Sequence, residues 1–182
     1  DFGGVDLTGV DLREVDLTGT NLYRSNLSGV DLTGANLTGV DCKKADLTEA
    51  NLQGTNFAGA NLTGADLRGA NLNETILINA DLTDAKIEQG KLDQALLCHT
   101  KTIDGRVSGC DLSGRNLSGV DLREVDLAGA NLTGVDLSGA DLSKANLSKA
   151  NLSGANLKKT NLTGAMLCKT TMPDGVIDNS GC

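Results

Sequence analysis

An apolar residue recurs at every fifth position from Phe2 to Leu97, and again from Leu112 to Leu167, without a slip in either run. These runs hold 20 and 12 repeats, and 28 of the 32 central residues are Leu, the exceptions being Phe2, Cys42, Phe57 and Ile87. A period of five fits neither the 3.6 residues of a helical turn nor the alternation of a long strand. The chain must therefore fold from five-residue units.

Each unit has a common plan. Two residues before the centre stands a small residue, as in Val5, Ala35, Ala60 and Ala140, with occasional Thr20, Thr55 or Thr160. One residue before the centre stands Asp or Asn, in 27 of the 32 units. In a short extended piece the small residue and the centre, two apart, point the same way. The rest must turn: Gly at the last position permits a tight bend, and Asp or Asn can accept hydrogen bonds from nearby backbone. If each unit makes one side and one corner, a few units close a coil. Successive coils then stack about 4.8 Å apart through ladder hydrogen bonds. The interior must be narrow, because there is no Trp and only 2% of the residues are aromatic.

The units VDLTG (5–9), ANLTG (35–39) and ADLSK (140–144) resemble the pentapeptide repeat family. The likeness runs through nearly the whole chain. It implies an all-β fold, a right-handed quadrilateral parallel β-helix with four repeats per coil. Given four, each residue stacks on its counterpart four units earlier and the chain forms about nine coils. We expect four segments: a first β-helical half over 1–97, a non-repeat, cap-like insertion over 98–111, a second half over 112–167, and a C-terminal cap over 168–182.

Stacking of every fourth unit makes predictions about charge. It alternates Asp with neutral Asn in many columns, yet it leaves Asp11 on Asp31 and Asp46 on Asp66. Like charges placed opposite each other cost about 0.2–1 kcal/mol, which a hydrated surface tolerates. The rhythm weakens from Thr75, where Ile76, Lys86, Lys91 and Leu96 replace Asp or Asn and Gly90 replaces the small residue. Arg115 occupies an inward position; a buried unpaired guanidinium is costly, so either the coil distorts there or Arg115 reaches solvent or a carboxylate.

The interruption has a copy. ALLCHTKTIDG (95–105) aligns without a gap to AMLCKTTMPDG (165–175), and both lead to Ser-Gly-Cys; GVDLREVDL also occurs twice, at 9–17 and 119–127. A unit of repeats plus closing segment was duplicated. The two halves either stand as tandem β-helices or form one continuous rod with a bulged or helical loop between them, and we favour the second. The open end of a β-helix invites further strands and needs an atypical closing unit. Leu96 and Met166, at matching outward sites, are suited to anchor these segments.

Four of the five Cys lie in the paired segments, Cys98 with Cys110 and Cys168 with Cys182. Two local disulfides fit the duplication best, each closing a loop worth about 3 kcal/mol. Cys42, at a central position, reads as a buried thiol. A metal site is disfavoured, since no CxxC occurs and the single His, His99, is matched by Lys169. Disulfides point to an oxidising compartment such as a periplasm or thylakoid lumen, with a cytoplasmic location as the alternative. No signal-peptide pattern stands at the start, but Asp1 and Phe2 already occupy the second and third places of a unit, which leaves a preceding targeting segment open.

No catalytic constellation stands out: the carboxylates belong to the repeat, and the Gly-rich stretches match no phosphate-binding fingerprint. We expect a non-enzymatic structural or interaction module without cofactor, monomeric or weakly associated end to end. A net charge of −8 disfavours nucleic acid, and no apolar run approaches a membrane span, which leaves a protein partner. The candidate partner surface comprises Tyr23 and Arg24 stacked with Lys43 and Lys44, and an apolar strip of Ile76, Ile78 and Leu96, if the 98–110 segment leaves it uncovered. Lysines 144, 149, 158 and 159 form a second basic group. The alternative, suggested by members of the family that mimic duplex DNA, is an acidic binder of type II topoisomerase (gyrase).

Overall fold

The computed structural model describes residues 1–88 and 90–182. Two compact units are present: Asp1–Leu96 with Thr100–Ser108, and Leu97–His99 with Gly109–Cys182. The expected 98–111 insertion is thus shared between them.

In the first unit, parallel bridges join residues 20 apart, from Asp6 with Asn26 through Asn36 with Asn56 to Asp81 with Lys101. The second unit repeats this register from Asp111 with Asn131 to Asn151 with Thr171. Every bridge residue in the regular coils is the one before a centre. The backbone on either side completes the ladder, as where Leu27 N–H donates to the Asp46 carbonyl at 2.7 Å and Asp46 N–H to the Ser25 carbonyl at 2.9 Å. Bridged residues are thus four pentapeptides apart along the chain.

The corners are β-turns. In most units the N–H of the small residue donates back to the carbonyl of the preceding centre, as from Ala35 to Leu32 at 2.9 Å. The last residue of the unit takes positive φ, 67° at Gly34. This is the type II pattern, which favours Gly at that position. The same position accepts charged residues with similar φ, including Glu14, Lys44, Glu124 and Lys149, each carrying strain that Gly would lack.

The Leu centres and the Ala and Val before them form the core. Leu27, Leu52, Phe57, Ala65, Leu132 and Leu147 are all buried at 0% exposure. Inward Thr residues are buried without losing a partner: Thr55, Thr75, Thr100 and Thr170 each donate a hydroxyl hydrogen bond of 2.6–2.8 Å to a Leu carbonyl 23 residues earlier. The carbonyl satisfies the hydroxyl inside an otherwise apolar interior.

Two places depart from the regular coil. At Lys91–Gln94 the side of the coil becomes a 3₁₀ turn entered through Gly90 at φ 82°. Here Lys91 offers no side-chain oxygen to hold an Asx turn, and stacking resumes at Ile76 with Leu96. The second departure corrects our expectation of a bulged or helical loop at 98–110. Lys101 and Val107 pair antiparallel, so the interruption is a hairpin. Thr102 N–H donates to the Arg106 carbonyl at 2.7 Å, and Gly105 N–H to Thr102 at 2.8 Å.

The C-terminal segment builds the same hairpin. Strand β1, Thr170–Thr171, pairs antiparallel with β2, Ile177–Asp178. Met172 N–H donates to Val176 at 2.8 Å and Gly175 N–H to Met172 at 2.9 Å. Asp104 and Asp174 each accept from the N–H two residues on. Cys98 is bonded to Cys110 and Cys168 to Cys182, with Cα atoms 4.1 and 4.7 Å apart, so each hairpin lies inside a covalent loop.

Candidate functional site

The outer face of each coil is organised by the Asp or Asn before the centre. Its Oδ1 accepts from the backbone N–H two residues on: Asp16 from Thr18 (3.0 Å), Asp41 from Lys43 (3.1 Å) and Asp136 from Ser138 (2.9 Å). Stacked Asn adds a link between coils. The Nδ2 of Asn61 donates to Asp41 at 3.2 Å, Asn131 to Asp111 at 3.0 Å, and Asn161 to Asp141 at 3.0 Å. Asn is therefore a donor to the carboxylate below it, as well as a neutral spacer.

Where Asp stacks on Asp, an Arg intervenes. Three such bridges occur among the described residues, Asp11 with Asp31, Asp46 with Asp66, and Asp121 with Asp141. In each, one Asp is followed two residues later by Arg, and that guanidinium grips its carboxylate through Nε and Nη2 at 2.8 and 2.6 Å: Arg13 on Asp11, Arg68 on Asp66, Arg123 on Asp121. The fork-on-carboxylate geometry is the strong form of this contact. It holds Asp11 down to about 2, chiefly through the Arg13 side-chain hydrogen bond, and puts Asp66 well below the usual carboxylate range, chiefly through Arg68.

Two lysines at Asp/Asn positions, Lys86 and Lys101, obey the same logic, whereas Lys91 opens the 3₁₀ turn. Lys86 Nζ lies 3.1 Å from Asp66 and Lys101 Nζ 3.2 Å from Asp81, each reaching the carboxylate one coil earlier. At Lys86, what looks in sequence like decay of the pattern is charge complementarity between coils.

The candidate surfaces divide. Tyr23, Arg24, Lys43 and Lys44 come together at consecutive coils: Arg24 N–H donates to the Lys43 carbonyl at 3.0 Å, and the Arg24 guanidinium sits 5.1 Å from the centre of the Tyr23 ring. Arg24, Lys43 and Lys44 are exposed and Tyr23 half-buried. The apolar strip is different. Ile76, Ile78 and Leu96 are 5%, 0% and 6% exposed, so the condition for a partner site there, an uncovered strip, is not met. Met166 remains 46% exposed although Gly181 packs against it. Arg115 reaches solvent without distorting its coil: its N–H still donates to Leu112 at 3.1 Å and its carbonyl still accepts from Asp136 at 2.9 Å.

Cys42 is a free, fully buried thiol, and burial pushes its pKa up, away from thiolate chemistry. His99 stands at the turn position with φ 50°, half-buried, with Nδ1 3.1 Å from the Asp126 carbonyl oxygen. Among the described residues no helix is long and apolar enough to cross a membrane.

The parallel ladder, its Leu core and its hairpin caps define a β-helical repeat protein. The chain belongs to the pentapeptide repeat family: the family model, "Pentapeptide repeats", matches in 8 copies over residues 1–39, 25–64, 60–97, 108–143 and 136–172. Among solved structures, it is similar to HetL, a pentapeptide repeat protein involved in heterocyst differentiation regulation from the cyanobacterium Nostoc sp. strain PCC 7120. Identity there is 30% over 98% of this chain and 93% of that one, with a TM-score of 0.35. It is also similar to alr5209, a pentapeptide repeat protein from Nostoc PCC 7120, with 34% identity over 52% of this chain and 84% of that one and a TM-score of 0.41. QnrB1, a plasmid-mediated fluoroquinolone resistance protein, shares 22% identity over 88% of this chain and 75% of that one, with a TM-score of 0.42. No curated protein matches.

Proposed function

We propose that this chain is a non-enzymatic interaction module whose ordered polar faces contact another protein. One observation carries the reading: the repeat carboxylates are engaged in structural work, accepting from their own backbone, from Asn of the next coil or from Arg and Lys. Side chains held this way make a patterned surface, and among the described residues these carboxylates act as structural acceptors. The Tyr23, Arg24, Lys43, Lys44 patch supplies an aromatic and three cations on a net-acidic chain, a combination suited to an acidic segment of the partner. We further propose a right-handed, four-sided coil of about nine turns, the four segments expected from sequence, a monomeric or weakly end-to-end associated state, and an oxidising compartment, which two disulfides support.

The test is charge reversal in place. Arg24→Glu with Lys43→Glu leaves the ladder and core intact, and partner capture by site-specific photo-crosslinking from position 23 should be lost while the circular dichroism spectrum is kept. Crosslinks that persist undiminished in the reversed protein would remove the patch from the reading.

A further inference from the structure

We propose that, once the Cys98–Cys110 bond is reduced, the two thiolates and the His99 imidazole form a three-ligand site for zinc. Both sulfurs and a ring nitrogen of His99 lie within 4.8 Å of one another. Zinc bonds of about 2.3 Å to sulfur and 2.0–2.1 Å to nitrogen set the edges of its tetrahedron at about 3.6–3.8 Å, so small movements suffice after the bond opens. Two thiolates neutralise the dication, which suits a place where Cys98 is buried and His99 and Cys110 are half-buried.

The second observation concerns the imidazole. The Asp126 carbonyl oxygen 3.1 Å from Nδ1 can only accept, which places the ring proton on Nδ1 and leaves the lone pair on Nε2. Histidines that ligate metals are held this way, with the other ring N–H donated to a carbonyl. The second cap provides a contrast within the same chain. It has the same hairpin and a Cys pair, but Lys169 stands at the turn position of His99, with φ 60° against 50°. An ammonium has no lone pair to offer a metal.

The redox step balances simply. A dithiol reductant gives two electrons and two protons to the Cys98–Cys110 disulfide and becomes a disulfide itself, leaving two thiols. Zinc then displaces both thiol protons to solvent as two Zn–S bonds form, His99 supplies the third ligand, and water fills the fourth position. In the oxidised state the same sulfurs are bonded to each other and the site is closed, so the first cap holds either a disulfide or a metal.

The whole chain is reduced with excess phosphine, freed of reductant under argon, and titrated with zinc against a chromophoric chelator. We expect one zinc per reduced chain and none on the unreduced protein. His99→Lys, which installs the residue of the second cap, should weaken zinc at least about tenfold. It should fold normally because Lys169 already occupies the equivalent turn, which a thermal melt checks. Cys98→Ser/Cys110→Ser, which keeps Cys168 and Cys182, should bind none at comparable affinity. Cobalt substitution reports the ligands directly through thiolate-to-metal absorption. Absence of zinc on the reduced protein, or identical affinity in His99→Lys, overturns the proposal.

Discussion

Asn51 tests how the acidic columns are held. Its Nδ2 donates to Thr33 Oγ1 at 2.9 Å and reaches Asp31 Oδ1 at 3.3 Å, while its own Oδ1 accepts from Asn71 at 2.9 Å. In Asn51→Asp the acceptor survives and the donor is lost, and a carboxylate is set on Asp31 in a bridged pair. Loss of the donor costs about 0.5–1.5 kcal/mol, and like charges opposite each other about 0.2–1 kcal/mol. The sum, about 1–2 kcal/mol at pH 7, is measurable as a shift in urea midpoint. The charge share must depend on pH. Repulsion raises the folded-state pKa of the two carboxylates relative to what each would have alone, so that share is present in full at neutral pH and disappears as the carboxylates protonate in acid. The three native Asp-on-Asp contacts each carry Arg two residues after one Asp, so Asn51→Asp/Gln53→Arg should recover most of the charge share. A single mutant as stable as the parent, or a double mutant no better than the single, would refute the account of these columns.

Asp11, held to about 2 by Arg13, should titrate near that value by NMR and move up towards the ordinary range in Arg13→Ala. Because its folded pKa is depressed, its contribution is present above about pH 4 and lost as pH falls towards 2. Lys149 sits at φ 62° in a turn, and Lys149→Gly should stabilise by about 0.5–1 kcal/mol, the relief of left-handed strain less the entropy of Gly, read from chemical denaturation. If the chain is an interaction module of the kind proposed, DNA supercoiling by gyrase should be unaffected at micromolar protein; inhibition would favour the DNA-mimic alternative.

The period of five, with Asp or Asn beside each Leu, makes the coil legible from the amino acids alone, because backbone turns, core and ladder all depend on that one unit. The Cys pairs are legible because the cap occurs twice. Other features need the third dimension. Arg13, Arg68 and Arg123 become meaningful only when Asp11, Asp66 and Asp121 are seen bridged to another Asp; the signal is Asp-Leu-Arg combined with an Asp four units away. Ile76, Ile78 and Leu96 break an outward polar rhythm, and sequence cannot tell an exposed apolar strip from a covered one. His99 reads as a loop residue because metal motifs are recognised by spacing, whereas here Cys110 arrives beside Cys98 and His99 after the chain has made a hairpin.

Two closing segments, each with its own covalent clasp, are the chain's defining departure from its repeat. Alkylation of the denatured, unreduced chain followed by peptide mass spectrometry tests them. One modified thiol, Cys42, is expected, with two cross-linked peptides joining Cys98 to Cys110 and Cys168 to Cys182. Five modified thiols, or a peptide linking a cysteine of one cap to a cysteine of the other, would contradict it.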